Sequence, residues 1–227
     1  MEFLRCALRL NNEGVSLMAA NKDQQAVQIL TKSLNLVKQV LNASSETVGE
    51  ANIDPVAILH NDIYRYPLIP DSVDNDTTKS FVYSNAVIFA PENNSPISEA
   101  NIHCYSAVII LNIGLLYHRQ GILGNPACFL KAKKMYEIII NFVGGNRYNQ
   151  GTALLVKLAA VNNLSQVLWD FGAYEASQKG FQFLASLIGL IGEGQPASSL
   201  IDGEDARGMI LNIFYSLQSL PPAAAAA

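Results

Sequence analysis

Apolar residues recur three and four positions apart along most of this chain, the spacing that gathers them on one face of a helix. The clearest case lies between Ser106 and Val143, where two helices are predicted, Ser106–Arg119 and Pro126–Phe142, joined by a short turn. Gly114 sits inside the first, one turn before Tyr117, and Ala132 and Tyr136 lie four apart in the second. A glycine costs a helix interior roughly 1 kcal/mol relative to alanine. Gly114 and Ala132 therefore read as small residues that let two backbones approach. Weaker copies of this pair flank it. Glu2–Ala20 carries Leu4, Leu8, Leu10, Val15 and Leu17, and Gln24–Leu41 carries Ala26, Val27, Leu30, Leu34, Val37 and Leu41 on one side. Thr152–Phe171 and Tyr174–Ile191 form a third pair, and Ala206–Leu220 is a lone last helix.

Between the first and second pairs the helical period breaks. Residues 42–101 are rich in Asn, Asp, Ser and Pro, with two strand-like runs, Ile63–Ile69 and Phe81–Phe89, either side of an acidic loop, Asp71–Ser80. An inserted β-hairpin is the simplest reading, although Pro67 and Pro70 push the first run toward an edge or a loop. Asn125-Pro126 marks the start of a helix, and Gly144-Gly145 its end. Six residues more separate Gly114 from Ala132 than separate Gly14 from Ala26, and a longer turn at Gly121–Asn125 is expected to absorb them.

The expected fold is all-α: antiparallel helix-pair repeats with a capping helix and a short hairpin insert. One domain is expected over 1–220, with pairs at 2–41, 98–143 and 149–191, the insert at 42–97, the cap at 204–220 and a tail at 221–227. Leu10, Gly14, Leu17, Ala26 and Leu30 resemble the tetratricopeptide repeat pattern, with Glu13 standing where an apolar residue is usual and Ser33 where Ala is usual. Ile210-Leu-Asn-Ile213 repeats Ile110-Leu-Asn-Ile113. A closer resemblance, to a large helical-repeat family of diatoms, rests on Tyr83–Pro91, Tyr105–His118, Asn162–Gln166 and Tyr174–Ser177. That family has no established activity. The tetratricopeptide resemblance implies a superhelix that binds a peptide or helix in its concave groove.

Composition narrows the function. Half the residues are hydrophobic, 15% are charged and the net charge is −4. That argues against nucleic-acid binding, which needs a basic footprint. Cys6, Cys104 and Cys128 are too few and too irregular for a disulfide framework and read as buried free thiols. Met1–Leu10 does not resemble a signal peptide, and the longest apolar runs, Ala107–Tyr117 and Phe183–Ile191, are far too short to span a membrane. An intracellular, reducing compartment, cytoplasm or nucleus, is the expectation. The Asn-x-Ser/Thr tripeptides at Asn42, Asn75 and Asn93 then read as chance.

Chemistry-bearing motifs are sparse. His60, His103 and His118 are scattered, and His103-Cys104 with Cys128 lacks metal-ligand spacing. Asp71, Asp74 and Asp76 lack the glycine and glutamate of a calcium loop. Gly144–Gly151 has no Gly-Lys-Ser/Thr ending. No metal and no cofactor is expected. Lys131, Lys133 and Lys134 read as a solvated face.

One polar feature recurs. Two residues before each Gly114-like position stands an asparagine: Asn12, Asn112, Asn163 and, in the last helix, Asn212. An amide donates and accepts at once, so this column suits either the main chain of a bound extended segment or the bonding of neighbouring helices. Counting along the first helices adds Val15, Met18, Leu115, His118, Arg119, Gln166 and Trp169 to the same face. The expected partner-binding set is Asn12, Asn112, Leu115, His118, Arg119, Asn163, Gln166 and Trp169, with Trp169 and Arg119 as anchors. With one titratable His and one cation among apolar residues, the set reads as a binding surface and not as a catalytic one. The expected function is a non-enzymatic protein-interaction scaffold. The alternatives are a permanent subunit of a large assembly, and an enzyme with its site between insert and groove.

Overall fold

The computed structural model describes residues 2–45, 63–68, 81–90, 99–143, 151–194, 201 and 203–218. Among these the protein is helical apart from one two-stranded sheet. The elements are α1 Glu2–Ala19, α2 Asp23–Ser45, β1 Ile63–Pro67, β2 Asn85–Phe89, α3 Glu99–Ile122, α4 Pro126–Phe142, α5 Gly151–Asp170, α6 Tyr174–Gly194 and α7 Gly203–Gln218. The acidic loop at 71–80 and the Gly144-Gly145 stop lie outside the described residues. The chain packs as two compact units, Met1–Val73 with Ser84–Lys157 and Asp74–Tyr83 with Leu158–Ala227.

The turns inside the three helix pairs are one device used three times. Each first helix ends in a residue with positive φ: Asn21 at 56°, Gly124 at 105° and Gly172 at 73°. In each, the next N–H reaches back five residues, Lys22 to Leu17, Asn125 to Gln120 and Ala173 to Leu168. The positive-φ residue itself bonds three back, to Met18, Gly121 and Trp169. This doubled bond satisfies carbonyls that a helix end otherwise leaves open. The longer turn expected at Gly121–Asn125 is absent. α3 instead runs on to Ile122, and the second turn is as short as the other two. The counterpart of Gly172 is Gly124. Asn125 precedes Pro126 as expected but makes no side-chain cap bond.

In the first unit α1 packs on α2 and α3 on α4, with α2 against α3. The small positions set the approach. A Cβ on Gly14 would lie 2.6 Å from Leu30 Cγ, and one on Gly114 would lie 2.8 Å from Tyr136 Cε1. Leu30, Ala132 and Tyr136 are fully buried. Ser33 stays small for the same reason and donates to Ala7 O at 2.7 Å. In the second unit Ser177 Oγ donates to Ser165 O at 2.7 Å, joining α5 to α6.

β1 pairs antiparallel with β2, with Ile63 opposite Phe89 and Pro67 opposite Asn85. Phe81–Ser84 leads into β2 without belonging to it. Neighbouring residues of a strand turn their main-chain groups to opposite sides. Val87 and Phe89 turn theirs toward helix side chains, so Ala86 and Ile88 turn theirs toward β1. Pro67, facing Asn85, falls in the outward-turned set, where its missing N–H costs the sheet nothing.

Filling the closest helix contact tests this packing. Gly114→Leu is expected to destabilise the fold by about 1–3 kcal/mol through overpacking against Tyr136, read as a lower midpoint in urea denaturation. An unchanged midpoint contradicts the α3–α4 contact.

Candidate functional site: an asparagine clasp

α1, α3, α5 and α7 each place an asparagine against the main chain of residues 81–89. In the first unit, Asn112 Nδ2 donates to Val87 O at 2.8 Å while its Oδ1 accepts the Val87 N–H at 2.9 Å. Asn12 treats Phe89 the same way, at 2.7 and 2.8 Å. In the second unit Asn163 holds Tyr83 at 2.9 and 2.8 Å, and Asn212 holds Phe81 at 2.7 and 2.9 Å. Each amide takes both main-chain groups of one residue, as the neighbouring strand of a sheet does. The residues taken lie an even number of positions apart, as an extended chain requires.

Two further asparagines complete the clasp. Asn11 precedes Asn12, and Asn162 precedes Asn163. Asn112 Nδ2 also donates to Asn11 Oδ1 at 2.8 Å, tying α3 to α1, and Asn11 Nδ2 donates to Val87 O at 3.0 Å. Likewise Asn212 Nδ2 donates to Asn162 Oδ1 at 2.9 Å, tying α7 to α5, and Asn162 Nδ2 donates to Phe81 O at 3.2 Å. The two readings of the column, segment binding and helix bonding, are thus both realised by the same amides. Sequence reasoning missed Asn11 and Asn162. Their one signal was the doubled Asn-Asn, which has no helical period. It also missed that the segment held is the chain's own.

The apolar side chains of the segment seat it. Tyr83, Ala86 and Val87 are fully buried. The Phe89 ring stands edge-on to Tyr105 at 5.2 Å. Phe81 lies against Gly208 of α7, where any Cβ would strike its ring. All the clasp asparagines except Asn12 are buried, and a buried amide must find partners for both of its ends.

The remaining members of the expected set do not join the clasp. Leu115 is buried in α3, as are Val15 and Met18 in α1. Arg119 donates to Met18 O at 2.9 Å and ion-pairs with Asp23 at the start of α2. Gln120 Nε2 donates to the other Asp23 oxygen at 3.2 Å. Gln166 Nε2 donates to Asp170 Oδ1 at 3.2 Å within α5. Trp169 stands edge-on to Tyr174, ring centres 4.9 Å apart. His118 Nδ1 is hydrogen-bonded to Tyr136 Oη at 3.1 Å, beside the Phe129 ring. Burial pulls its pKa from the ordinary 6.5 down to about 4.

Of the thiols, Cys104 and Cys128 are buried and Cys6 is exposed on α1, against the expectation that all three are buried. His103 stacks on Phe142 at 4.7 Å. Lys131 lies over the Tyr117 ring at 5.1 Å, and Lys133 pairs with Glu137. Among the described residues no group of three or more His, Cys, Asp or Glu could hold a metal ion, and no helix is long and apolar enough to cross a membrane. No protein-family model, curated protein or solved structure matches the chain.

Two measurements follow from this geometry. Asn112→Ala strips the Val87 N–H and Asn11 Oδ1 of their Asn112 partner and leaves Val87 O with Asn11 alone, all buried, so it is expected to cost about 2–4 kcal/mol in urea denaturation. Asn12→Ala, at a partly exposed position, should cost about 1 kcal/mol. Equal costs would contradict the burial argument. The buried neutral His118 gives a pH signature of definite sign. The unfolded chain takes up its proton first, so the stability difference between wild type and His118→Gln is constant above about pH 6.5. Below that the wild type loses stability relative to the variant, by about 3 kcal/mol near pH 4. Parallel curves contradict the burial of a neutral imidazole.

Proposed function

We propose that the protein is a non-enzymatic interaction scaffold built from tetratricopeptide-like helix pairs, which engages protein segments on the asparagine-bearing face of its first helices. The bidentate amide carries this reading. An asparagine that takes the N–H and C=O of one residue recognises the main chain and leaves side chains free to vary, the mode of a surface that holds extended protein segments. The buried titratable groups fit a binding role better than proton or acyl transfer. His118 is closed in against Tyr136 and neutral. Burial pushes the Cys104 thiol up to about 12, away from the thiolate a nucleophile needs.

A second reading, a permanent subunit of a larger assembly, is favoured by one observation. α7 leaves Ile210, Leu211, Phe214 and Tyr215 between 40% and 53% exposed. A terminal helix that only closes a repeat array carries a polar outer face. In the paired helices the positions matching Phe214 are the small Gly14, Gly114 and Ser165, so α7 is not shaped to receive a partner helix at the same close distance.

Native gel filtration of a cell extract separates the readings. The 24.6 kDa chain is expected to elute within a larger complex. A complex that survives Phe214→Glu supports binding through the first-helix face, and one that dissociates supports the subunit reading. Elution at the chain's own mass contradicts both.

A further inference from the structure

We infer that the α3–α4 turn is a membrane-docking tip. It sets Ile122 and Leu123 into the interface of a bilayer carrying anionic phospholipid, while Lys131 and Lys134 meet the headgroups. The tip lies wholly within the first unit and uses none of the clasp asparagines. Three observations lead to it.

First, the turn carries bulky apolar side chains that its closure does not need. Ile122, Leu123 and Leu130 are 55%, 76% and 60% exposed. The α1–α2 turn closes with the same bonds, and there the two residues before the positive-φ position are Ala19 and Ala20. The seat beneath the α3–α4 turn is already filled. A Cβ on Gly121 would lie 2.7 Å from the Phe129 ring, and His118 stands edge-on to that ring at 5.5 Å. Ile122 and Leu123 are therefore left outside on a firm base.

Second, the turn is cationic. No Asp or Glu occurs between Glu99 and Glu137. Lys131 and Lys134 are exposed on α4, and the partly buried Lys133 pairs with Glu137. Asp23, at the start of α2, is taken by Arg119 and Gln120 of α3. The α5–α6 turn also exposes a ring, Phe171, but Asp170 and Glu175 flank it in sequence.

Third, the apolar and cationic residues are layered as a bilayer interface requires. A helix rises about 1.5 Å per residue, so Tyr117 stands about 7.5 Å behind Ile122, and Lys131 about 7.5 Å behind Pro126. Lys131 Nζ lies 5.1 Å from the centre of the Tyr117 ring, which holds the ammonium at that level. Apolar elements enter the boundary between headgroups and acyl chains by about 5–10 Å. That depth buries Ile122 and Leu123 and leaves Tyr117 and Lys131 among headgroups, where both residue types are favoured. A peptide partner docks in a groove or on a sheet edge. A turn between two helices projects instead, and a bilayer yields around it.

Co-flotation of the purified full chain with vesicles tests this. Binding to equal parts phosphatidylcholine and phosphatidylserine is expected to be at least tenfold stronger than to phosphatidylcholine alone, and to weaken as salt screens the lysines. Ile122→Ser/Leu123→Ser changes exposed side chains only and is expected to lose at least tenfold in binding with an unchanged urea midpoint. Lys131→Gln/Lys134→Gln is expected to lose at least tenfold on the mixed vesicles, since each lysine near an anionic leaflet is worth roughly fivefold. Should the serine variant fail to fold, Leu123→Trp in a Trp169→Phe background decides. It carries a single tryptophan, at the tip, whose emission is expected to shift to the blue on the mixed vesicles. Absence of vesicle binding, equal affinity for the two kinds of vesicle, full binding by a folded serine variant, or an unshifted emission overturns the inference. So does a chain that ignores vesicles and binds an amphipathic peptide of leucine and glutamate through Leu123, which assigns the tip to an acidic protein partner. None of these outcomes touches the scaffold reading, which rests on the asparagine-bearing face.

Discussion

An extended segment buried against helices carries main-chain groups that the helices cannot satisfy, because their own N–H and C=O groups are bonded internally. Each group left unpaired away from water costs about 1–3 kcal/mol. Only side chains can close the gap, and they must both donate and accept within one residue's reach. Asparagine does this with a short, stiff amide. Its recurrence in four helices is the solution to that constraint, met by two amides within each unit.

The arrangement divides the faces of each first helix. One face presents the asparagine. Another meets the second helix of its pair, and there Gly14 and Gly114 admit Leu30 and Tyr136. The pair is closed by a turn with one positive-φ residue and two bonds back into the helix. Arg119 fixes the α1–α2 turn to α3 by taking Met18 O and Asp23. These contacts set the pitch of α1 against α3 in the first unit, where the Asn112–Asn11 bond then locks it. β1 takes the main-chain groups of β2 that the asparagines leave. Val87 and Phe89 are thereby held from the helix side, and the alternate residues Ala86 and Ile88 from β1.

Much of this was legible from residue spacing. The helix pairs follow from apolar periodicity, and Gly114 and Ala132 from the cost of small residues in a helix. The Asn column was visible because one residue type recurs at one offset from the small position. Its occupant was not, because Asn112 and Val87 are 25 residues apart and Asn212 and Phe81 are 131 apart. No local pattern links them. Phe81–Phe89 was read as a strand, yet its alternation does not say that its second partner is a row of side chains. Counting along helices placed His118 and Arg119 on a partner face. Their hydrogen bonds depend on the neighbours, Tyr136 and Asp23, which helical phase alone does not specify. The extra length of the second pair was assigned to a turn because turns usually absorb insertions. It went into helix instead, which keeps the same three-residue closure.

The clasp exists in solution only if the asparagine amides hold the main chain there. Scalar coupling across a hydrogen bond, measured by NMR on a deuterated, isotope-labelled sample, reads this atom by atom. Coupling is expected from the Val87 amide nitrogen to Asn112 Cγ, and from those of Phe89, Tyr83 and Phe81 to the Cγ atoms of Asn12, Asn163 and Asn212. Absence of these couplings, with the four amide protons exchanging as fast as those of an open loop, would contradict the clasp and everything built on it.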